Sequence, residues 1–250
     1  MPADHVHVFI GGVHRSGTTL LGRLLAEHPE ASGFTNTGEP ADEGQHLQNV
    51  YLPARAFGGP GRFAFSDDAA LTETSSLVTD AHERLMADWA PHWDLSRRVL
   101  IEKSPPNLLR FRFLQAAFPG AHLVAVLRHP LAVAYATQKW SKTSIPSLLE
   151  HWLVAYERFR RDVPQLEHVH EVRYEDLVAH ADATVGDLET AIGISPRTVG
   201  DGIEPGSNER YFARWQTESG RALSGWRHRR AAKRFEDRAN AFGYTLTELG

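Results

Sequence analysis

A chain of 250 residues can bury a full core as one domain, and 42% hydrophobic with 23% charged residues is the balance of a globular protein, which excludes a disordered or fibrous chain. A formal net charge of −4 argues against broad nucleic-acid binding, and no apolar run approaches the ~18 residues of a membrane span. The chain has no cysteine, which removes disulfides, thiolate catalysis and Cys-based zinc sites. With no basic and apolar leader in "MPADHVHVFIGG", a single cytoplasmic domain over residues 1–250 is expected.

His5 to Ile10 runs apolar into Gly11-Gly12, the pattern of a strand ending in a loop. From Thr18 to Glu27, Leu20, Leu21, Leu24 and Leu25 recur at helical spacing, and His28-Pro29 ends the run. Glu30 to Asp68 is rich in Gly and Pro and too long for a plain connector, so a functional loop is expected there. The pattern then predicts a helix over Ser75–Trp89, a short strand over Val99–Ile101 and a helix over Leu108–Phe118. "AHLVAVLRHP" is the near-continuous apolar run of a strand buried on both faces of a parallel sheet. Helices over Leu131–Trp140 and Ser147–Asp162, a strand over His168–Arg173 and a basic amphipathic helix over Arg221–Gly243 complete the order.

Strands alternating with helices predict an α/β fold: three layers, with a mostly parallel central sheet flanked by helices. Ligands of such sheets bind outside the carboxyl ends of the strands. Four charged clusters fall at that edge: His14-Arg15-Ser16, Glu102-Lys103-Ser104, Arg128-His129 and Arg173-Tyr174-Glu175.

The first of these sits in "GVHRSGTTLL". Gly12-x-x-x-x-Gly17 has the spacing of a phosphate-binding P-loop, yet Thr18 stands where the loop lysine belongs. The loop amides and the helix dipole form an anion site irrespective of that lysine, with Arg15 adding a charge and Ser16, Thr18 and Thr19 adding hydroxyls. Without the lysine that manages a triphosphate, a donor carrying less charge at the transferred group is expected. A 5′-phosphosulfate fits, because a sulfuryl group carries one negative charge and needs no bridging metal. Among the fourteen histidines no H-x-x-x-H or H-E-x-x-H pattern occurs, so no metal site is expected.

These residues give the chain a resemblance to the sulfotransferases that use 3′-phosphoadenosine 5′-phosphosulfate (PAPS), with motifs similar to those of the tyrosylprotein sulfotransferases. "HRSGTTLL" resembles their 5′-phosphosulfate loop, with Arg15, Ser16, Gly17, Thr18 and Thr19 as the implied contacts. "VLRHPLAVAYA" resembles their 3′-phosphate segment, which implies that Arg128 binds that phosphate. The family's serine eight positions on is Ala136 here, with Thr137 the nearest hydroxyl. "EKSPPN" implies that Lys103 contacts the transferring group, "VRYEDLV" that Tyr174 meets the adenine, and "ALSGW" that Ser224 contacts a phosphate.

The cytosolic members' Lys-x-His base is missing from Lys103-Ser104-Pro105. The tyrosylprotein enzymes use a glutamate after the first helix, and "FTNTGEPADEGQHLQ" offers Glu39, Asp42, Glu43 and His46. Glu43 ranks first, because it precedes Gly44 and an expected helix start at "LQNVY"; Glu39, in the family's Gly-Glu pair, ranks second. The resemblance implies transfer of a sulfuryl group to a hydroxyl or amine of a small-molecule, carbohydrate or peptide acceptor, releasing 3′-phosphoadenosine 5′-phosphate (PAP). The acceptor is expected against the Glu30–Phe65 loop and near Trp140 to Trp152 and Asn208 to Trp215. A P-loop nucleotide kinase would need the loop lysine, and a non-catalytic nucleotide-binding module would have no use for the acidic loop.

Overall fold

A computed structural model describes residues 5–199, 208–222 and 225–249. Five strands are present among them: β1 (Val6–Gly12), β2 (Ala31–Gly33), β3 (Val99–Lys103), β4 (His122–Leu127) and β5 (His168–Arg173). They form one sheet in the order β2-β3-β1-β4-β5, and all four pairings are parallel. The helices are α1 (Thr18–Ala26), α2 (Ala81–Trp89), α3 (Phe111–Ala117), α4 (Pro130–Ser141), α5 (Ile145–Asp162), α6 (Tyr174–Ala179), α7 (Ala181–Ala191), α8 (Glu209–Gly220) and α9 (Trp226–Asn240).

Side chains alternate across a strand, so a sheet covered on both faces must be apolar at every position. Val8, Ile10, Ile101, Val124 and Val126 face one way and pack with Leu21, Leu24 and Leu25 of α1 and Val185 and Leu188 of α7. Phe9, Leu100, Leu123, Ala125 and Leu127 face the other way, into a larger core with Trp89 of α2, Leu131 of α4, Trp152 of α5 and Phe235 of α9. The result is the expected three-layer α/β arrangement.

Several boundaries differ from the sequence pattern. β2 falls within the stretch expected to be loop, since its three residues Ala31–Gly33 carry no periodic signal. α2 begins at Ala81 rather than Ser75, because the preceding segment is taken up by turns such as Ser75 N–H to the Thr72 carbonyl. "LQNVY" is not a helix start: a single 3₁₀ turn, Gly44–His46, precedes it and stops. The basic tail is helical from Trp226 to Asn240; α6 and α7 carry no strong apolar stripe in the sequence, whereas α8 buries Tyr211 and Trp215 at i, i+4 spacing. No helix among the described residues is long and apolar enough to cross a membrane.

The register sets the site. Ile10 pairs with Lys103, Gly12 with Val126 and Leu127 with Arg173. The carboxyl ends of four strands therefore open on one edge, with β1 at the centre, β3 on one side and β4–β5 on the other.

Candidate active site

The loop between β1 and α1 forms the centre of a cleft lined by His14, Arg15, Gly17, Thr18, Thr19, Ala41, Glu43, Arg128, Trp140 and Tyr174, among others. Gly17 is the N-cap of α1 at φ 111°, and no side chain caps the helix or places an acid in its first turn. The first amides of α1 are thus left for a ligand, with the positive end of the helix dipole behind them. A Cβ on Gly17 would lie 2.5 Å from Tyr174 Cδ2, so only glycine lets that ring lie on the loop. Arg15 takes the left-handed region at φ 73°, which turns its carbonyl to accept from Arg128 Nη1 at 3.2 Å. Its exposed guanidinium lies 4.7 Å over the Trp140 ring.

The hydroxyls of the loop divide. Thr19 is exposed toward the cleft, Thr18 lines it while 3% exposed, and Ser16 is fully buried beneath the loop. The Tyr156 hydroxyl lies near Ser16, but Ser16 Oγ makes no hydrogen bond of ordinary geometry.

On the β3 side, Lys103 is 7% exposed and its Nζ donates to the Ala41 carbonyl at 2.8 Å. Nζ lies 3.5 Å from Glu43 Oε1. Burial pulls the Lys103 ammonium below the usual lysine range, against the Glu43 and Glu102 carboxylates, which hold it up. Glu43 is itself buried and accepts from Gln45 Nε2. Glu39 is exposed on the preceding turn, its amide donating to Thr37 Oγ1, and does not line the cleft. Asp42 is used locally: Thr37 N–H and Oγ1 both donate to it, and the backbone bond is the main cause that lowers its carboxyl.

Glu102, which the sequence offered only as an edge charge, is fully buried and anchors this side. Gly44 N–H donates to Glu102 Oε1 at 3.0 Å, Ser104 Oγ donates to the same oxygen at 2.6 Å, and Asn107 Nδ2 donates to Oε2. Ser104 Oγ in turn accepts from Gln45 N–H at 2.9 Å. Burial pushes the Glu102 carboxyl up to about 7, opposed by the hydrogen bonds from Ser104 and Asn107. Gly44 and Gln45, in the 3₁₀ turn Gly44–His46, are thereby tied to the end of β3, and Glu43, just before them, stands beside Lys103.

On the β4–β5 side, Arg128 is 6% exposed, and its guanidinium lies 4.0 Å over the Tyr174 ring. Arg128 Nε and Nη2 donate to Asn208 Oδ1 at 2.9 and 2.8 Å. Asn208 Nδ2 donates to Glu175 Oε1 at 2.7 Å, as does His129 N–H at 2.9 Å, while the Tyr244 hydroxyl donates to Glu175 Oε2 at 3.1 Å. The sequence places Asn208 only in a general acceptor region and Glu175 only among the charges at the sheet edge; both come from segments remote from Arg128 in sequence. Thr137 is 2% exposed, donates to the His14 carbonyl at 3.3 Å and does not line the cleft. Its hydroxyl is thereby tied to the loop backbone. Ser224 lies outside the described residues. Among the described residues no group of three His, Asp or Glu side chains is arranged to hold a metal ion.

Residues 7–197 match the model of the sulfotransferase family. The nodulation protein NoeE of Sinorhizobium fredii is 26% identical over 220 residues, covering 75% of this chain and 50% of the relative. Protein-tyrosine sulfotransferase 2 of Gallus gallus is 26% identical over 197 residues, covering 75% and 51%. The match thus spans about half the length of either relative. In fold, the chain is similar to the sulfotransferase domain from the Synechococcus PCC 7002 olefin synthase (TM-score 0.56, 17% identity, 100% of this chain and 99% of that one). It is also similar to the sulfotransferase domain from the curacin biosynthetic pathway (TM-score 0.53, 17% identity, 92% and 97%). With a family match over most of its length, the chain belongs to the sulfotransferase family.

Proposed function

We propose that this chain transfers a sulfuryl group from PAPS to an acceptor hydroxyl or amine, releasing PAP. The observation that carries the reading is the composition of the cleft: an uncapped helix N-terminus without a loop lysine, set between Arg128 and a buried Lys103–Glu43 pair. The donor supplies an activated sulfuryl group whose leaving group is a phosphate. The fit rests on Gly17, which alone among residues leaves room for the Tyr174 ring at the loop, and on Arg15 and Arg128, which bring two cations to one cleft.

Within this reading the amides of α1's first turn, Arg15, Thr18 and Thr19 hold the 5′ end, and Arg128 holds the 3′ phosphate. Tyr174 offers its face to the adenine. Thr137 braces the loop through the His14 carbonyl, and Ser16 packs buried beneath the loop. Lys103 stabilises charge on the sulfuryl oxygens and the departing oxygen. Glu43 takes the acceptor proton; Glu39, exposed and off the cleft, is the weaker candidate. Support for an acceptor against the Glu30–Phe65 loop comes from a second cavity of about 390 Å³. Phe34, Thr35, Asn36 and Asp42 line it, it shares Thr19 and Ala41 with the cleft, and it reaches Lys103.

The test is ligand choice followed by turnover. PAP without magnesium should raise the melting temperature, and at about one hundred times its dissociation constant should add about 2.7 kcal/mol of stability. Radiolabel from PAPS should then appear on small-molecule, carbohydrate or peptide acceptors. Stabilisation by ATP only with magnesium, exceeding that by PAP, would overturn the reading.

A further inference from the structure

We infer that His14 is a further catalytic residue, whose Nε2–H donates to an oxygen of the sulfuryl group during transfer. This rests on the sulfuryl-transfer reading. His14 lies one residue before Arg15 in the loop and lines the cleft together with Thr18, Thr19 and Glu43. Its ring is fixed from behind: Phe63, fully buried, stands edge-on at 5.6 Å and 68°. Phe63 is braced in turn by His151 at 4.9 Å. The His14 carbonyl is held by the Thr137 hydroxyl.

The tautomer follows from what surrounds each nitrogen. Nδ1 is buried and has no partner. A buried N–H without an acceptor is rarer and more costly than an unshared acceptor lone pair. Nδ1 therefore carries the lone pair and Nε2 the proton. Because the residue is partly exposed and borders the cleft, Nε2 is the nitrogen left to meet a ligand. Burial, and then the neighbouring Lys103 and His46, push the imidazole down to about 3, so it is neutral across the physiological range. A neutral imidazole held below its usual range is a poor base but a good donor to oxygen that gains negative charge.

In the reaction the acceptor O–S bond forms as the bond from sulfur to the phosphate oxygen breaks. That oxygen keeps the electron pair, the acceptor proton goes to the Glu43 carboxylate, and His14 keeps its own proton throughout. His14 and Glu43 thus divide two tasks that a single histidine base could not perform together.

Nitrogen-15 NMR of the ligand-free protein tests the premise without turnover. The His14 signal, assigned by its loss in His14→Gln, should be that of a neutral Nε2–H tautomer from pH 6 to 8. Adding PAP with inorganic sulfate should move the Nε2–H resonance. His14→Phe keeps the ring packing and removes the donor; it should lower kcat by about 100-fold, with PAP affinity within about twofold of wild type. His14→Gln, which retains an N–H, should recover part of that loss. An imidazolium or an Nδ1–H tautomer at pH 7 would overturn the proposal, as would wild-type kcat in His14→Phe with PAP still bound. Failure of the wild-type protein to bind PAP would instead remove the sulfuryl-transfer reading, and this role with it.

Discussion

At the β3 end of the cleft, polar groups are buried and bonded to one another: Glu102 accepts from Gly44, Ser104 and Asn107, and Lys103 is bonded to Ala41 and faces Glu43. At the β4–β5 end a cation, Arg128, lies on an aromatic face and is steadied by Asn208, which Glu175 holds in turn. The first end is a network of hydrogen bonds around the fully buried Glu102, Ser104 and Asn107, so a shift in geometry there is felt by its neighbours. The second places an acidic residue, Glu175, one step behind the Asn208 amide that meets the arginine. On the proposed function, the chemistry falls to the β3 end and nucleotide binding to the β4–β5 end.

The sharpest test of that division is Glu43→Gln. A general base contributes roughly 10²–10⁴ in rate, or about 3–5 kcal/mol. Turnover should fall by that factor while the affinity for PAP, measured by calorimetry, stays near wild type. A comparable loss in Glu39→Gln with Glu43→Gln still active would move the base to the exposed turn, and the buried network would lose its catalytic meaning.

Arg128→Ala probes the other end. Charge-assisted hydrogen bonds are worth roughly 1.5–3 kcal/mol, so PAP should bind about 10- to 100-fold more weakly. Adenosine 5′-phosphosulfate, which lacks the 3′ phosphate, should lose far less, and kcat at saturation should be nearly unchanged. Equal weakening of both ligands would make Arg128 a structural cation.

Gly44→Ala addresses how tightly the β3 network is packed. A Cβ there would sit 2.5 Å from Glu102 Cγ and Oε1, and the Gly44 carbonyl accepts from Trp89 Nε1 at 3.0 Å, so the backbone has little room to retreat. Overpacking of this kind costs about 1–3 kcal/mol, readable in urea unfolding. Turnover should drop as Glu43 shifts, with PAP affinity retained. Unchanged stability would show that the turn is looser than its bonds imply.

The contrast between the two ends also explains what the sequence could and could not disclose. β1, β4 and the P-loop announce themselves because an apolar run ending in Gly11-Gly12 or at Arg128 has few other foldings. The placement of Lys103, Arg128 and Tyr174 at the carboxyl edge of the sheet is legible because Lys103 ends β3 and the other two directly follow β4 and β5. The burial of Glu102 is not, since alternation along β3 does not distinguish a buried carboxylate with three donors from a solvated edge charge. Asn208 and Glu175 meet Arg128 only through tertiary packing of α6 and α8, which local pattern does not encode. The rank of Glu43 over Glu39 rested on an expected helix at "LQNVY". The structure instead fixes Glu43 through Gly44 and Gln45 bonding to Glu102 and Ser104.

The smallest expected effect is a change of slope in stability against pH. Glu102 has a carboxyl raised from 4.5 to about 7, so between those values the folded protein holds a proton the unfolded chain has lost. Its contribution is fully present below about 4.5 and is lost as pH rises through 7. Buried histidines act in the opposite sense: His7, His122 and His129 are lowered to about 4 and His14 and His151 to about 3, each with burial as the first cause. Their contributions are present above 6.5 and are lost as pH falls through their folded values, because the unfolded chain takes up the protons first. One proton of difference gives at most about 1.4 kcal/mol per pH unit. The histidines outnumber the carboxyl, so the wild-type protein should lose stability as pH falls from 6.5 toward 4. In Glu102→Gln the opposing carboxyl is gone, and the same fall should be steeper by up to that one-proton slope. Urea midpoints at pH 5 and pH 6.5 for the two proteins measure it. Equal slopes would mean that Glu102 stays ionised when buried, which would leave Lys103 with a second full negative charge behind it and a less depressed ammonium than its burial implies.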